Sequence, residues 1–343
     1  MNTDYYYYQT LSFRNKRCYK LIYNGLVACE SEISVPVMNW NKDECFRVYR
    51  AVLRDHPYLF YVDHRAERAE ASGKEWKIHP HYFGTSAECA GWVKKVKQNA
   101  QSIVRKASLA KKPEIEKVRS IYHLLSEQVE CTGLGNQRGL SDKEHLLSET
   151  PWGVFFERKA GSRGLACAFK LLLNEAGIRC ILVDGSVRRG GHLSEHTWTI
   201  VRCANRYSHF DLAYSVYQNK TGKTDYDYFG LTDGAIRVDH SEYAGVPICS
   251  SKDTEYFEHY NRVIRTRGSL ERFVRNNIKQ IPGELYVRID FDIPFEDAVK
   301  LARELVEQHI AGYGSKVDLK VYYRESRRTI RILIGAERSR SDE

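Results

Sequence analysis

From Ser162 to Ala176 the chain carries a helix that is apolar almost all round. Leu165, Phe169, Leu172 and Ala176 form one stripe, and Ala166, Leu171 and Leu173 add apolar surface elsewhere. Such a helix is stable only when buried, so the rest of the chain must wrap around it. Gly177 supplies its stop. Ser162 lies in its first turn, where backbone N–H groups lack helical partners and the dipole favours negative charge. Downstream, His196-Thr197-Trp198 opens one strand and Tyr207-Ser208-His209-Phe210-Asp211 closes another. A nucleophile-type side chain at a helix N-terminus, followed by His and Asp, is the residue set that acyl transfer requires. Ser162 would attack, His196 would take the proton, Asp211 would orient the imidazole, and helix N–H groups would hold the oxyanion.

Each residue also has a plain structural reading. Ser162 alone is an N-cap, His196 an ordinary strand histidine, Asp211 a turn former at a strand end. The Asn205-Arg206 turn predicts a hairpin, with His196 nine and Asp211 five residues from it. The two are therefore not directly opposite, and a twist or bulge has to bring them together. His192, His209 and His240 are competing histidines without a comparable pattern.

The composition, 42% hydrophobic and 28% charged, is that of a water-soluble globular protein. No apolar run approaches the roughly 20 residues that span a bilayer. The N-terminus lacks the apolar core of a secretory signal, which reads as cytoplasmic, with export open if a signal has been removed. Nine scattered cysteines without a CxxC pair read as reduced thiols, and no metal or organic cofactor is expected. The net charge of +9 includes a basic stretch, residues 262–279. It reads as a solvated helix face, with binding of an acidic partner or nucleic acid as the alternative.

Periodicity divides the chain into a mostly helical region (1–110), a core (111–248), a basic helical linker (249–283) and a small α/β unit (284–338). Helices are expected at about 10–28, 43–54, 86–108 and 113–131, a short strand at Leu59-Phe60-Tyr61-Val62, and a glycine-bearing loop at 186–195. Tyr207–Ser215 reads as one strand, and the aromatic loop 226–229 as a wall of the cleft.

The stretch from Glu114 to Tyr243 resembles the bacterial transglutaminase-like family, a branch of the papain-like cysteine protease superfamily. PWGVFFERKAGSRGLACAFKLLLNEAGIRC looks like that family's nucleophile helix, HTWTIV like its His-x-Trp strand, YSHFDLAY like its Asp strand, and YDYFGLTDGAIRVDH like the segment that follows. RVYRAVLRDHPYLFYV resembles the helical extension such proteins carry, so the likeness covers about two-thirds of the chain. The resemblance implies an α+β fold with a papain-like core, in which the nucleophile helix packs on an antiparallel sheet. It implies attack on peptide or protein amides by a triad at Ser162, His196 and Asp211, with no cofactor. It also points to Trp152, Gly161, Arg163 and Trp198 as oxyanion or cleft residues. Trp152 either donates to the oxyanion or packs beneath the helix. Arg163 either meets an acidic substrate group or is solvated.

The departure is the nucleophile: the family's cysteine falls on Ser162. Cys167, about 140° around the helix, is no substitute and reads as core. A hydroxyl is far less acidic than a thiol and must lose its proton during attack. Ser162 is therefore a replacement made to stop turnover, a natural change leaving a pseudoenzyme that binds peptide, or the nucleophile of a serine-dependent peptidase or amidase.

Overall fold

The computed structural model describes residues 5–36, 40–65, 68–133, 141–218, 221–311 and 317–336. It divides into two compact units, Met1–Ser251 and Lys252–Glu343. The expected helical region and core thus lie in one unit, while the basic stretch and the terminal α/β unit lie in the other. Among the described residues no helix is long and apolar enough to cross a membrane.

In the first unit the helix Ser162–Glu175 is buried along nearly its whole length, including Leu165, Phe169, Leu171, Leu172 and Leu173 at 0–1% exposure. It packs on a five-stranded antiparallel sheet. The strands run His240–Ser241, Cys180–Arg189, His192–Cys203, Arg206–Phe210, Phe229–Leu231 in that spatial order. Side chains alternate between the faces of a strand, and the two faces here have different tasks. Leu182 packs on Ala166 and Cys167, and Phe210 meets Phe169 of the helix. Ile181, Val183, Trp198 and Ile200 instead join a core built from the N-terminal helices and Cys249.

That core ties the N-terminal region down. The buried carboxylate of Asp55 accepts from the backbone N–H of Tyr7 and Tyr8 and from the Tyr19 hydroxyl, and the Tyr7 hydroxyl donates to the Leu182 carbonyl. Helices Phe13–Ala28, Lys42–Asp55, Ser86–Lys106 and Glu114–Gln128 form close to where periodicity places them. Thr85 and Glu88 make the capping box that starts the third.

Four local expectations are corrected. Leu59-Phe60-Tyr61-Val62 is not a strand: Pro57–Leu59 is a 3₁₀ turn, and only Val62 bridges, to Tyr82. Residues 186–195 are not an open loop. They complete a long hairpin whose turn, Gly190-Gly191, has both φ values positive, as a tight antiparallel reversal demands. The third strand ends at Phe210, and Leu212–Gln218 is helical. Tyr226, Tyr228 and Phe229 are buried, with Tyr226 and Phe229 packed on Tyr122, and do not line a cleft. The polar loop after Cys131 lies largely in residues 134–140, outside the described residues.

The second unit carries a four-stranded sheet in the order Val263–Ile264, Gly283–Ile289, Thr329–Ala336, Val317–Arg324. The first pair is parallel and the rest antiparallel. Helices Arg267–Asn277 and Phe295–Ile310 contribute Leu270, Val274, Ala298, Leu301 and Val306 to its core. The basic stretch is only partly helical, and Arg265 and Arg267 are ion-paired with Glu258 and Glu271.

One close approach decides how the central hairpin packs. Gly185 pairs with His196, and a Cβ at residue 185 would stand 2.7 Å from the Ser241 carbonyl oxygen and 2.8 Å from Trp198 Cη2. Backbone on one side and a fully buried indole on the other cannot both give way. Gly185→Ala should lower stability by roughly 1–3 kcal/mol, the usual cost of overpacking. Urea denaturation measures it, and an unchanged midpoint would refute this packing.

Candidate functional site

The site begins at the helix start. The two-residue strand Lys159–Ala160 pairs in parallel with Glu130–Cys131 and delivers the chain to Gly161 in extended conformation. The helix then opens on Ser162, 4% exposed. A side chain at 161 would collide with the Glu149 carboxylate, whose Oε1 lies 2.8 Å from the Cβ position. Gly161 is thus the residue that lets an acid lie against the nucleophile position. Burial raises the Glu149 pKa, against the opposing fields of Arg163, Arg65 and His196. Its Oε2 has no hydrogen-bond partner.

His196 sits within the long strand, not at the lip of a loop, and is 2% exposed. Its Nε2 is 2.6 Å from Asp211 Oδ2. The register explains the approach. Thr199 pairs with Phe210, so the next position on the third strand, Asp211, faces Trp198. His196 is the diagonal neighbour on the same face, a separation long side chains can bridge. No bulge between them is needed.

Asp211 has two further partners. His240 Nε2 lies 2.9 Å from the same Oδ2, His240 Nδ1 lies 2.6 Å from Asp239 Oδ1, and the Tyr214 backbone N–H donates to Asp211 Oδ1 at 3.0 Å. Burial alone would raise the Asp211 pKa. His196 and His240 outweigh it and hold the carboxyl well below the usual range. Burial likewise opposes charge on His240, yet its bonds to Asp211 and Asp239 raise its pKa. Sequence spacing set His240 aside. Its strand, His240–Ser241, pairs with Val187 and Ser186, a contact no local pattern announces.

The indole of Trp198, 1% exposed, organises these rings. His196 lies parallel to it with ring centres 6.0 Å apart, His240 meets it edge-on at 4.9 Å, and its N–H donates to His209 Nδ1 at 3.0 Å. Trp198 is therefore a core residue, not a cleft wall. Arg163 is neither solvated nor aimed at a substrate: it is buried and pairs with Asp184 at 2.9 Å, beside Arg54 and the Thr197 hydroxyl. Burial would raise the Asp184 pKa, but Arg163 and Arg54 hold it well below the carboxylate range. Trp152 packs on Trp92 and Phe156, and Lys95 lies over its ring. Cys167 is buried, and burial pushes its thiol up to about 11.

His196 and Asp211 are thus brought together. Two acidic-imidazole groups have the composition of metal ligands, His196-Asp211-His240 and His209-Asp233-Cys249. Neither fits as arranged. Ligand atoms about 2 Å from a tetrahedral zinc stand more than ~3 Å apart, whereas the first group's contacts of 2.6 and 2.9 Å are hydrogen bonds. In the second, His209 Nδ1 accepts from the indole, so its proton lies on Nε2 facing Asp233, and burial pushes the Cys249 thiol up to about 12.

Residues 101–212 match the sequence model of the transglutaminase-like superfamily, a segment that contains Ser162, His196 and Asp211. No curated protein matches the chain. Among solved structures it is similar to a crystal structure of a TGase, at 10% identity and a TM-score of 0.30, over 57% of this chain and 52% of that one. It is also similar to the structure of a candidate protease from Parabacteroides distasonis ATCC 8503, at 10% identity and a TM-score of 0.27, over 80% of this chain and 61% of that one. The chain thus spans 52% and 61% of those two chains. It carries a transglutaminase-like region in a fold of mixed helix and sheet.

The Glu149 carboxyl gives a pH test with a definite sign. Its pKa is higher folded than unfolded. Its contribution to stability is therefore complete below the ordinary glutamate value of about 4.3 and lost as pH rises through the folded value. Glu149→Gln should be more stable than the parent at pH 8, by about 1 kcal/mol, the scale of one unsatisfied buried polar atom. The difference should vanish near pH 4 in urea titrations. A gap of the same size at both pH values would remove the buried-acid assignment.

Proposed function

We propose that the first unit holds peptide or protein amides at a transglutaminase-like site whose nucleophile place is occupied by Ser162, and that in this form it binds without turning over. The observation that carries the reading is the buried His196–Asp211 pair, 2.6 Å apart, in the same family-matched segment as a serine at the N-terminus of an interior helix. The donor set supports the assignment of roles. Asp211, held ionised, accepts a hydrogen bond from the Nε2–H of His196, which leaves Nδ1 of a neutral ring as the atom with a lone pair. The N-terminal N–H groups of the helix suit an oxyanion. In a thiol enzyme of this design, attack on the amide carbonyl would form a thioester and release the amine, and water or a second amine would release the acyl group.

A hydroxyl alters the balance. The thiol version relies on a standing thiolate supported by an imidazolium and a helix dipole. A serine needs its proton removed at the moment of attack by an aligned base. A site whose helix N-terminus and histidine suit a thiolate–imidazolium pair meets that demand poorly, which favours the non-catalytic reading over a serine hydrolase.

The test compares the parent with Ser162→Cys and Ser162→Ala. Neither the parent nor Ser162→Ala should turn over amide substrates or react with a fluorophosphonate probe. Ser162→Cys should gain selective alkylation at position 162, by at least tenfold over the other cysteines. Covalent labelling of the parent at Ser162 by the fluorophosphonate would replace this reading with a serine-dependent peptidase or amidase.

A further inference from the structure

Two imidazoles compete for one oxygen in this site. His196 Nε2 and His240 Nε2 both point at Asp211 Oδ2, at 2.6 and 2.9 Å, and the two ring centres are 5.4 Å apart. His240 also has a second carboxylate, Asp239, at 2.6 Å on its other nitrogen. An imidazole whose two nitrogens each face a carboxylate oxygen has an acceptor for a proton at both. The arrangement is completed by the Tyr228 hydroxyl, which donates to the other Asp239 oxygen, and by the Asp239 carbonyl, which accepts from the Arg188 N–H. The titratable groups around His240 are Asp211, Asp239, His196, His209, Tyr214 and Tyr228. Two of these are carboxylates in direct contact with it. The ring is wholly buried, so water does not screen them.

We propose that His240 is a positioning residue of the site: a charged imidazolium clamped between Asp211 and Asp239 that shares the Asp211 oxygen with His196 and so weakens the support Asp211 gives to a charged His196. The inference rests on the reading of Ser162, His196 and Asp211 given above. It adds the reason the site departs from thiol chemistry beyond the change at 162. A thiolate needs an imidazolium beside it. A like charge 5.4 Å away in the interior opposes that second imidazolium. The Asp211 carboxylate that would compensate is shared with His240, and Glu149 is a further carboxyl whose field reaches His196. A thiol installed at 162 therefore stays largely protonated at neutral pH, and full thiolate character returns only when the His240 charge is removed as well.

The experiment has two independent arms. In the first, ¹⁵N-resolved NMR of the parent protein reads the His240 ring. Both nitrogens should be protonated from pH 6 to 8, and one unprotonated ring nitrogen in that range overturns the proposal whatever the site does. In the second, the rate of alkylation by iodoacetamide at position 162 is followed against pH in Ser162→Cys and in Ser162→Cys with His240→Gln. The inflection should move down by about one pH unit in the double variant, which is about tenfold faster reaction at pH 6. A merely structural role for His240 predicts slower or unselective alkylation, and either that or an unchanged inflection refutes the proposal. If His240→Gln does not fold, Asp239→Asn keeps the ring, removes the outer charge and should move the inflection in the same direction. A Ser162→Cys protein that reacts no faster than Ser162→Cys with His196→Gln would defeat the acyl-transfer reading, and the ring nitrogens would still decide the charge on His240.

Discussion

A carboxylate removed from water must be met by donors on nearly every lone pair, and Asp211 is fully buried. Its three donors come from three places in the chain: His196 on the central strand, His240 on the far edge strand, and the Tyr214 backbone in the helix that follows. Each donor fixes one element. The third strand has to stop at Phe210 so that the chain can turn and present the Tyr214 N–H. The segment after Phe229 has to return across the sheet to place His240 beside Val187. The strand ends and the crossing of residues 229–241 are consequences of satisfying that one group.

Asp184 plays a comparable part on the other face of the sheet. It is lined up with Thr197 across the hairpin and receives Arg54, Arg163 and the Thr197 hydroxyl. One residue of sequence separates His196 from Thr197, and strand alternation sends the first to Asp211 and the second to Asp184. The start of the Ser162 helix is anchored through Arg163 to this second carboxylate, while His196 belongs to the first. The helix start and the His196–Asp211 pair are thus held by separate polar hubs on a shared strand. A partner lost from Asp211 would leave a buried charge less well met, which is costlier than losing a surface pair, whereas the Asp184 side chain is 30% exposed and keeps access to water.

What the sequence disclosed follows the range of the forces involved. The apolar helix from Ser162, the amphipathic helices at 86 and 114 and the hairpin near residue 205 are local patterns and legible, although the turn is Ala204-Asn205 and not Asn205-Arg206, because Cys203 pairs with Arg206. The extension of the preceding hairpin through Arg189 and His192 is not, because those residues lie beyond the apolar core and show no alternation. Leu212–Ser215 reads as strand because Leu-Ala-Tyr is apolar in either geometry, whereas the Tyr214 N–H donating to the Asp211 carboxylate and the Ser215 N–H donating to the Asp211 carbonyl start a helix there. Arg163 looked like a surface residue because its partner, Asp184, is 21 positions away. His240, 29 positions from Asp211, and Glu149, folded against Gly161, were equally out of reach: each is a buried polar group whose meaning depends on a contact that the fold creates.

These dependencies bear on how the presence of His196 and Asp211 should be weighed beside a serine. In an enzyme, such a pair is ordinarily taken as the mark of chemistry. In this core the pair has a second reason to exist. Asp211 neutralises His240, His196 stacks on the indole of Trp198, and that indole in turn donates to His209, whose ring reaches Asp233. Removing Asp211 would strand two imidazole N–H groups and a backbone N–H in an apolar interior. Removing His196 would open a void against a fully buried tryptophan. Packing therefore gives the pair a structural role beside any chemical one, and His196 and Asp211 are each tied to the fold through several partners at once.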